Sequence, residues 1–166
     1  MTKPAVMTVA RLALLGLLLG YASLAPAAEQ QILTIKGVIY AAIPCVINKN
    51  APISAPFGDV QTARIDGNYK TITLEYTLDC TRSVTNELRM QVRGNQSFDP
   101  ALLMVPGYDS LAIALKMNGY RFVLNTWADF DANKKPVLQA VLVKRENREV
   151  EAGVFKASAT LVVDYR

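Results

Sequence analysis

Gly153-Val154-Phe155-Lys156-Ala157-Ser158-Ala159-Thr160-Leu161-Val162-Val163-Asp164-Tyr165-Arg166 is the stretch that decides the fold class. Phe155, Ala157, Ala159, Leu161, Val163 and Tyr165 fall at every second position, with Lys156, Ser158, Thr160 and Asp164 among the residues between them. Successive side chains of an extended strand point to opposite faces, so this spacing predicts one strand with a core face and a wet face.

The same period recurs upstream. Ile72, Leu74, Tyr76 and Leu78 alternate with Thr71, Thr73, Glu75, Thr77 and Asp79 in a run that ends at Cys80. Leu88, Met90 and Val92 repeat it between Glu87, Arg89, Gln91 and Arg93. Leu111, Ile113, Leu115 and Met117 form a third run, closed by Asn118-Gly119. Both central positions of a type I′ turn need positive φ, which Asn and Gly accept, so Tyr120 to Leu124 is expected to return as the second strand of a hairpin. Pro136 to Val143 is a further apolar stretch, ended by the charged turn Arg145-Glu146-Asn147-Arg148. No helical stripe is sustained after residue 27, and the Pro52-to-Pro56 segment is the one linker-like stretch. Many short strands joined by polar turns predict an all-β, antiparallel two-sheet sandwich.

The first residues have a different character. Lys3 and Arg11 precede the apolar run Leu12 to Leu19, which is too short to span a bilayer as a helix but suits the core of a signal peptide. Ala25 and Ala27 supply the A-x-A spacing of a cleavage site, so residues 1–27 are expected to be removed. An uncleaved membrane anchor is the competing reading. About 140 residues then remain, enough for one domain with a real core and too few for two. Losing Lys3 and Arg11 takes the net charge from +4 to +2.

Export sets the redox compartment. The two cysteines, Cys45 and Cys80, would meet an oxidising environment and close into a disulfide, a structural staple for a loop of about 36 residues. Two sulfurs and no histidine make a metal site implausible. Without histidine or a recognisable nucleophile motif, catalysis lacks its usual parts, and the expectation is that the chain is not an enzyme. The basic residues lie as scattered pairs, Lys134-Lys135 and Lys144-Arg145, which suit solvated loop ends and argue against a nucleic-acid partner. Trp127 admits a sugar-stacking reading beside packing in a loop or core, and packing is the expectation because nothing polar converges on it in sequence. Neither a cofactor nor a small-molecule substrate is expected.

Ile32 to Tyr40 is strongly β-prone and precedes the cysteine-bearing strand. Leu33, Ile35, Gly37 and Ile39 share one face of it. Patterning alone favours a plain first strand of the sandwich.

Four stretches in order carry a family resemblance over nearly all of the chain beyond residue 27. They are Gly37-Val38-Ile39-Tyr40 with Ile43-Pro44-Cys45-Val46-Ile47-Asn48, then Phe57-Gly58-Asp59-Val60, then Thr73 to Cys80, and then the terminal Gly153 to Arg166. Alone, Phe57-Gly58-Asp59-Val60 reads as a tight turn beside a buried Phe57. Together the four resemble pilins of the chaperone-usher pathway, which carry a glycine fourteen residues from the carboxyl end and a penultimate tyrosine, here Gly153 and Tyr165. The details look most like minor subunits of P-pilus and type 1-like fimbriae, the tip adaptor type. Ala41-Ala42-Ile43 departs from the pattern and blurs the register by a residue.

The resemblance implies an incomplete immunoglobulin-like sandwich lacking its final strand, with residues 28–40 as an N-terminal donor-strand extension and 41–166 as the pilin domain. Leu33, Ile35, Gly37 and Ile39 become the donor face. Gly153, Phe155, Ala157, Ala159, Leu161, Val163 and Tyr165 become the groove wall and chaperone-contact strand. The implied partners are a periplasmic pilus chaperone, an outer-membrane usher, and neighbouring pilin or adhesin subunits. The implied route runs through the periplasm to the cell surface, where the chain is built into the fimbrium. A secreted immunoglobulin-like binding module is the alternative, since fold alone does not determine function.

Overall fold

A computed structural model describes residues 31–37 and 43–166. The expected signal peptide and Ile39 lie outside the described residues. The chain divides into two units, Met1–Ile39 and Tyr40–Arg166. In the first, residues 31–37 form no regular element, and Ile32, Leu33 and Ile35 are exposed.

The second unit is all-β. Among the described residues its strands are β1 (Val46–Ile47), β2 (Ile72–Thr73), β3 (Leu78–Asp79), β4 (Glu87–Arg93), β5 (Leu103–Met104), β6 (Leu111–Met117), β7 (Tyr120–Phe122), β8 (Ala128–Asp131), β9 (Leu138–Lys144) and β10 (Thr160–Tyr165). All pairings are antiparallel. One sheet has the order β10-β4-β8, and the other has β2-β9-β6-β5 with β7 also on β6. A small ribbon joins β1 to β3. Met90 and Val92 of β4 share one apolar cluster with Leu111, Ile113 and Leu115 of β6 and with Leu138, Ala140 and Leu142 of β9. Among the described residues neither sheet closes on itself.

The hairpin forms as its dipeptide requires. Asn118 and Gly119 have φ of 53° and 85°, and Met117 pairs with Tyr120. The Asn118 side chain also accepts from the Val137 amide at 2.9 Å, so the residue that permits the turn ties it to the strand beside it.

Several expectations need correction. The run from Thr71 to Asp79 is split between two sheets: Ile72–Thr73 pairs with β9, whereas Leu78–Asp79 pairs with β1. Its inward face survives the change, with Tyr76 buried and Ile72, Leu74 and Leu78 half-buried. A strand that turns a corner changes hydrogen-bond partners while its apolar face stays on the same core. The return strand after Asn118-Gly119 stops at Phe122 rather than Leu124. Strand β8 was not anticipated, although Ala128 and Phe130 alternate with Asp129 and Asp131. Gln91 was assigned to a wet face, yet it is buried, with its amide donating to the Asn125 carbonyl and accepting from Arg93.

Tyr76 ties the corner segment to the chain leading into β9. Its ring is 4% exposed, and its hydroxyl donates to the Pro136 carbonyl at 2.6 Å. Burial pushes the phenol up to about 12. The unfolded chain releases this proton near pH 10, so the stability it carries is complete below about pH 10 and is lost as pH rises toward about 12. Tyr76→Phe is expected to cost about 1–2 kcal/mol at neutral pH, because it strands the Pro136 carbonyl. Compared with the parent by urea unfolding, the variant should also lose less stability between pH 10 and 12. Parallel pH profiles would show that the buried phenol is not coupled to folding.

Candidate functional site: an open groove between two unpaired edges

The site begins at the disulfide. Cys45 and Cys80 are bonded with their Cα atoms 4.1 Å apart, pinning β1 to the end of β3 as expected. Just beyond β1 the chain takes three successive left-handed residues, Asn48, Lys49 and Asn50, with φ of 46°, 51° and 64°. Asparagine tolerates this region better than most side chains, and Lys49 is the residue least suited to it. The Asn48 side-chain amide donates to the carbonyls of Ala51 and Pro52, both at 3.0 Å, and so holds the turn.

From this turn the segment 51–60 runs as one wall. Ile53, Ala55 and Phe57 are half-buried while Pro52, Ser54 and Pro56 are exposed, the period of two of an extended strand. Gly58, at φ +64°, ends the alternation. This is the stretch read from sequence as a linker. Its prolines suggested a connection, but proline is compatible with the extended edge of a sheet.

The other wall is the first half of the terminal stretch. One strand was expected from Phe155 to Tyr165, yet only Thr160–Tyr165 is paired, from Thr160 opposite Arg93 to Tyr165 opposite Leu88. Residues 155–159 stay extended, with Phe155 and Ala157 half-buried and Lys156 and Ser158 exposed. Ladder bonds end at Thr160 because β4 ends opposite it, at Arg93. Among the described residues, the main chain of 53–60 and of 155–159 has no main-chain hydrogen-bond partner.

Between these walls lies a groove of about 1190 Å³. Its floor is the core itself, with Leu111, Ile113 and Leu115 of β6 and Leu138, Ala140 and Leu142 of β9 in its lining. Charged groups enter the lining only at Asp59, Glu151 and Lys156, which are all exposed. Ring centroids of Phe57 and Phe155, one from each wall, lie 5.8 Å apart. At the other end of the Gly153-Val154 approach stands Tyr108. A Cβ on Gly153 would lie 2.6 Å from the Tyr108 hydroxyl, which donates to the Val154 carbonyl at 3.4 Å, so a larger residue would force the two apart.

Such a lining offers no acid, base or nucleophile in the apolar interior. What it offers is burial for alternate aliphatic side chains and two rows of free amides and carbonyls, which is what an added β-strand needs. Among the described residues no cluster of three metal-capable side chains occurs.

The structure brings together Gly153, Phe155, Ala157, Ala159 and Leu161 on the groove. It does not place Val163 and Tyr165 there. Val163 pairs with Met90 and packs on the core, and Tyr165 pairs with Leu88. Leu33, Ile35 and Gly37 belong to the first unit, and Ile39 lies outside the described residues. The residues that sequence reasoning missed are Ile53 and Ala55, whose alternation with Pro52, Ser54 and Pro56 was the available signal.

Trp127 lies on the outer side of the three-stranded sheet. The guanidiniums of Arg89 and Arg93 lie 4.5 and 5.8 Å from its ring centroid. Arg89 also pairs with Asp164 at 3.0 Å, and that hydrogen bond holds the Asp164 carboxyl below its usual range. Cation–π packing accounts for the half-buried tryptophan.

Comparison with known proteins places these features in a family. A family model described as fimbrial protein matches residues 33–166. The uncharacterized fimbrial-like protein YfcR of Escherichia coli (strain K12) is 32% identical over 139 residues, covering 81% of this chain and 80% of that protein. YfcQ of the same strain, also an uncharacterized fimbrial-like protein, is 35% identical over 153 residues, covering 87% and 92%. The P pilus adaptor subunit PapF shares the fold with a TM-score of 0.56 at 19% identity, covering 74% of this chain and 96% of that one. The P pilus rod subunit PapA does so at 0.54 and 19%, covering 82% and 100%.

Proposed function

Because the chain belongs to the fimbrial protein family, as a structural pilus subunit and not an enzyme, we propose that its groove receives an extended strand from a neighbouring subunit. Its place is in the surface fimbria, in association with other pilin subunits. The observation that carries the proposal is the pair of alternating, unpaired edges on either side of an apolar groove. An edge of that kind invites pairing with another chain, and an exposed core is an aggregation hazard until it is covered.

In this reading residues 1–27 are removed on export, 28–40 form the donor extension and 41–166 the pilin domain. Leu33, Ile35, Gly37 and Ile39 serve the groove of the next subunit. Three buried aliphatic side chains, at about 1.5–3 kcal/mol each, supply much of the affinity, and ladder hydrogen bonds add to it. A periplasmic chaperone covers the groove first, an outer-membrane usher receives the complex, and the subunit serves as a minor component near the fimbrial tip.

Ala159 tests the groove. Its side chain is exposed on the wall, so Ala159→Leu leaves the domain's own packing largely alone while filling space an incoming side chain needs. Capture by the chaperone is expected to drop about tenfold or more, since overpacking costs about 1–3 kcal/mol. Co-purification at the parental level would exclude this wall as the binding edge.

A further inference from the structure

Two neighbours of one vacant strand position stand roughly 9.6 Å apart, twice the strand spacing. The rings of Phe57 and Phe155 meet at 5.8 Å, so at this level they lean toward each other across the groove. Both are half-buried, and each comes from an edge whose main chain is unpaired among the described residues. A strand entering between the walls therefore meets this pair before its side chains can reach the floor there.

The wall that carries Phe57 has a left-handed turn at one end and a left-handed glycine at the other. Asn48, Lys49 and Asn50 form its root, in a conformation that costs non-glycine residues energy, and Gly58 closes its far end at φ +64°. Between these points the wall is held by side-chain packing, with main-chain ties among the described residues only at Ala51 and Pro52. The opposite wall continues directly into β10, which is paired along its length with β4.

We propose that Phe57 and Phe155 form an aromatic clasp that sets how fast a donor strand enters the groove, and that the Ala51–Phe57 wall parts from it by turning about Asn48–Asn50. This deepens the strand-acceptor reading of the groove and rests on it. Loss of the clasp lowers the barrier to entry, whereas it removes little from the filled state, in which the rings are already parted.

The test uses the purified full chain and a fluorescein-labelled synthetic peptide of residues 31–39, with incorporation followed by fluorescence anisotropy. Phe57→Ala and Phe155→Ala are each expected to raise the entry rate about three- to tenfold, the scale of an aromatic pair. The double variant should add nothing beyond the single ones, because one contact is lost once. Phe57→Leu keeps apolar bulk without the ring pair and serves if the alanine variants do not fold; it should show the same acceleration. Entry at one common rate in the parent and all folded variants overturns the clasp alone. No entry into any of them, the parent included, overturns the strand-acceptor reading and the clasp with it.

Discussion

Ile35→Asp is expected to abolish donation to a neighbouring subunit while leaving the chain's own domain folded. Ile35 is 86% exposed, so in its own chain the substitution falls among surface changes worth no more than about 0.5 kcal/mol. In a partner's apolar groove the same carboxylate would be buried without a partner, at a cost of several kcal/mol. At about 1.4 kcal/mol per tenfold, that is roughly a 10³-fold loss of strand exchange. Gly37→Leu is a companion of different chemistry. Nothing lies within 4 Å of a Cβ built at Gly37, so its own chain tolerates the side chain and any loss arises in the partner's groove. Strand exchange with a purified partner subunit measures both, and urea unfolding reports the donor's own domain. Unfolding of the domain by either substitution would make residues 32–40 an ordinary first strand and favour the binding-module alternative.

Removal of the disulfide is the second large effect. Cys45→Ser with Cys80→Ser frees a loop of sequence separation 35, worth about 4 kcal/mol on the chain-entropy model. The loss falls where it matters to the groove. The bond pins β1, and the wall at 51–60 springs from the turn that follows β1. Periplasmic yield should fall sharply, and groove binding should fall further than global stability predicts. Equal yield and free thiols in the parent protein would contradict both parts. Reduction of the parent under native conditions should reproduce the phenotype without any substitution.

Much of the architecture was legible in local pattern. Leu88, Met90 and Val92, like Leu111, Ile113 and Leu115, declare their buried face by alternation, and all six are buried. Asn118-Gly119 announces its hairpin because positive φ is a local property. Where reading failed, the deciding contact was distant. Gln91 is buried because the Asn125 carbonyl takes its amide N–H from 34 residues away, a partner not recognisable from sequence. Thr71 to Asp79 looks like one strand because its apolar face is continuous, and only pairing with both β9 and β1 divides it.

The family was legible too, since the ordered motifs from Gly37 to Tyr165 point to the group whose model matches residues 33–166. The groove's second wall was not. Periodicity states which side chains of a strand face inward, but it is silent on whether the main chain has a neighbour. The residues from Phe155 to Tyr165 carry one unbroken pattern, yet β4 runs out opposite Thr160 and leaves 155–159 unpaired. Pro52 to Pro56 reads as a linker until Ile53 and Phe57 are seen packing on the core, with Ala55 half-buried between them. Sequence by itself therefore determined the all-β class, the inward faces of the long alternating runs, the disulfide and the family, all of which follow from local chemistry. Tertiary structure alone decided which edges lie open, because an unpaired edge depends on where every other strand ends.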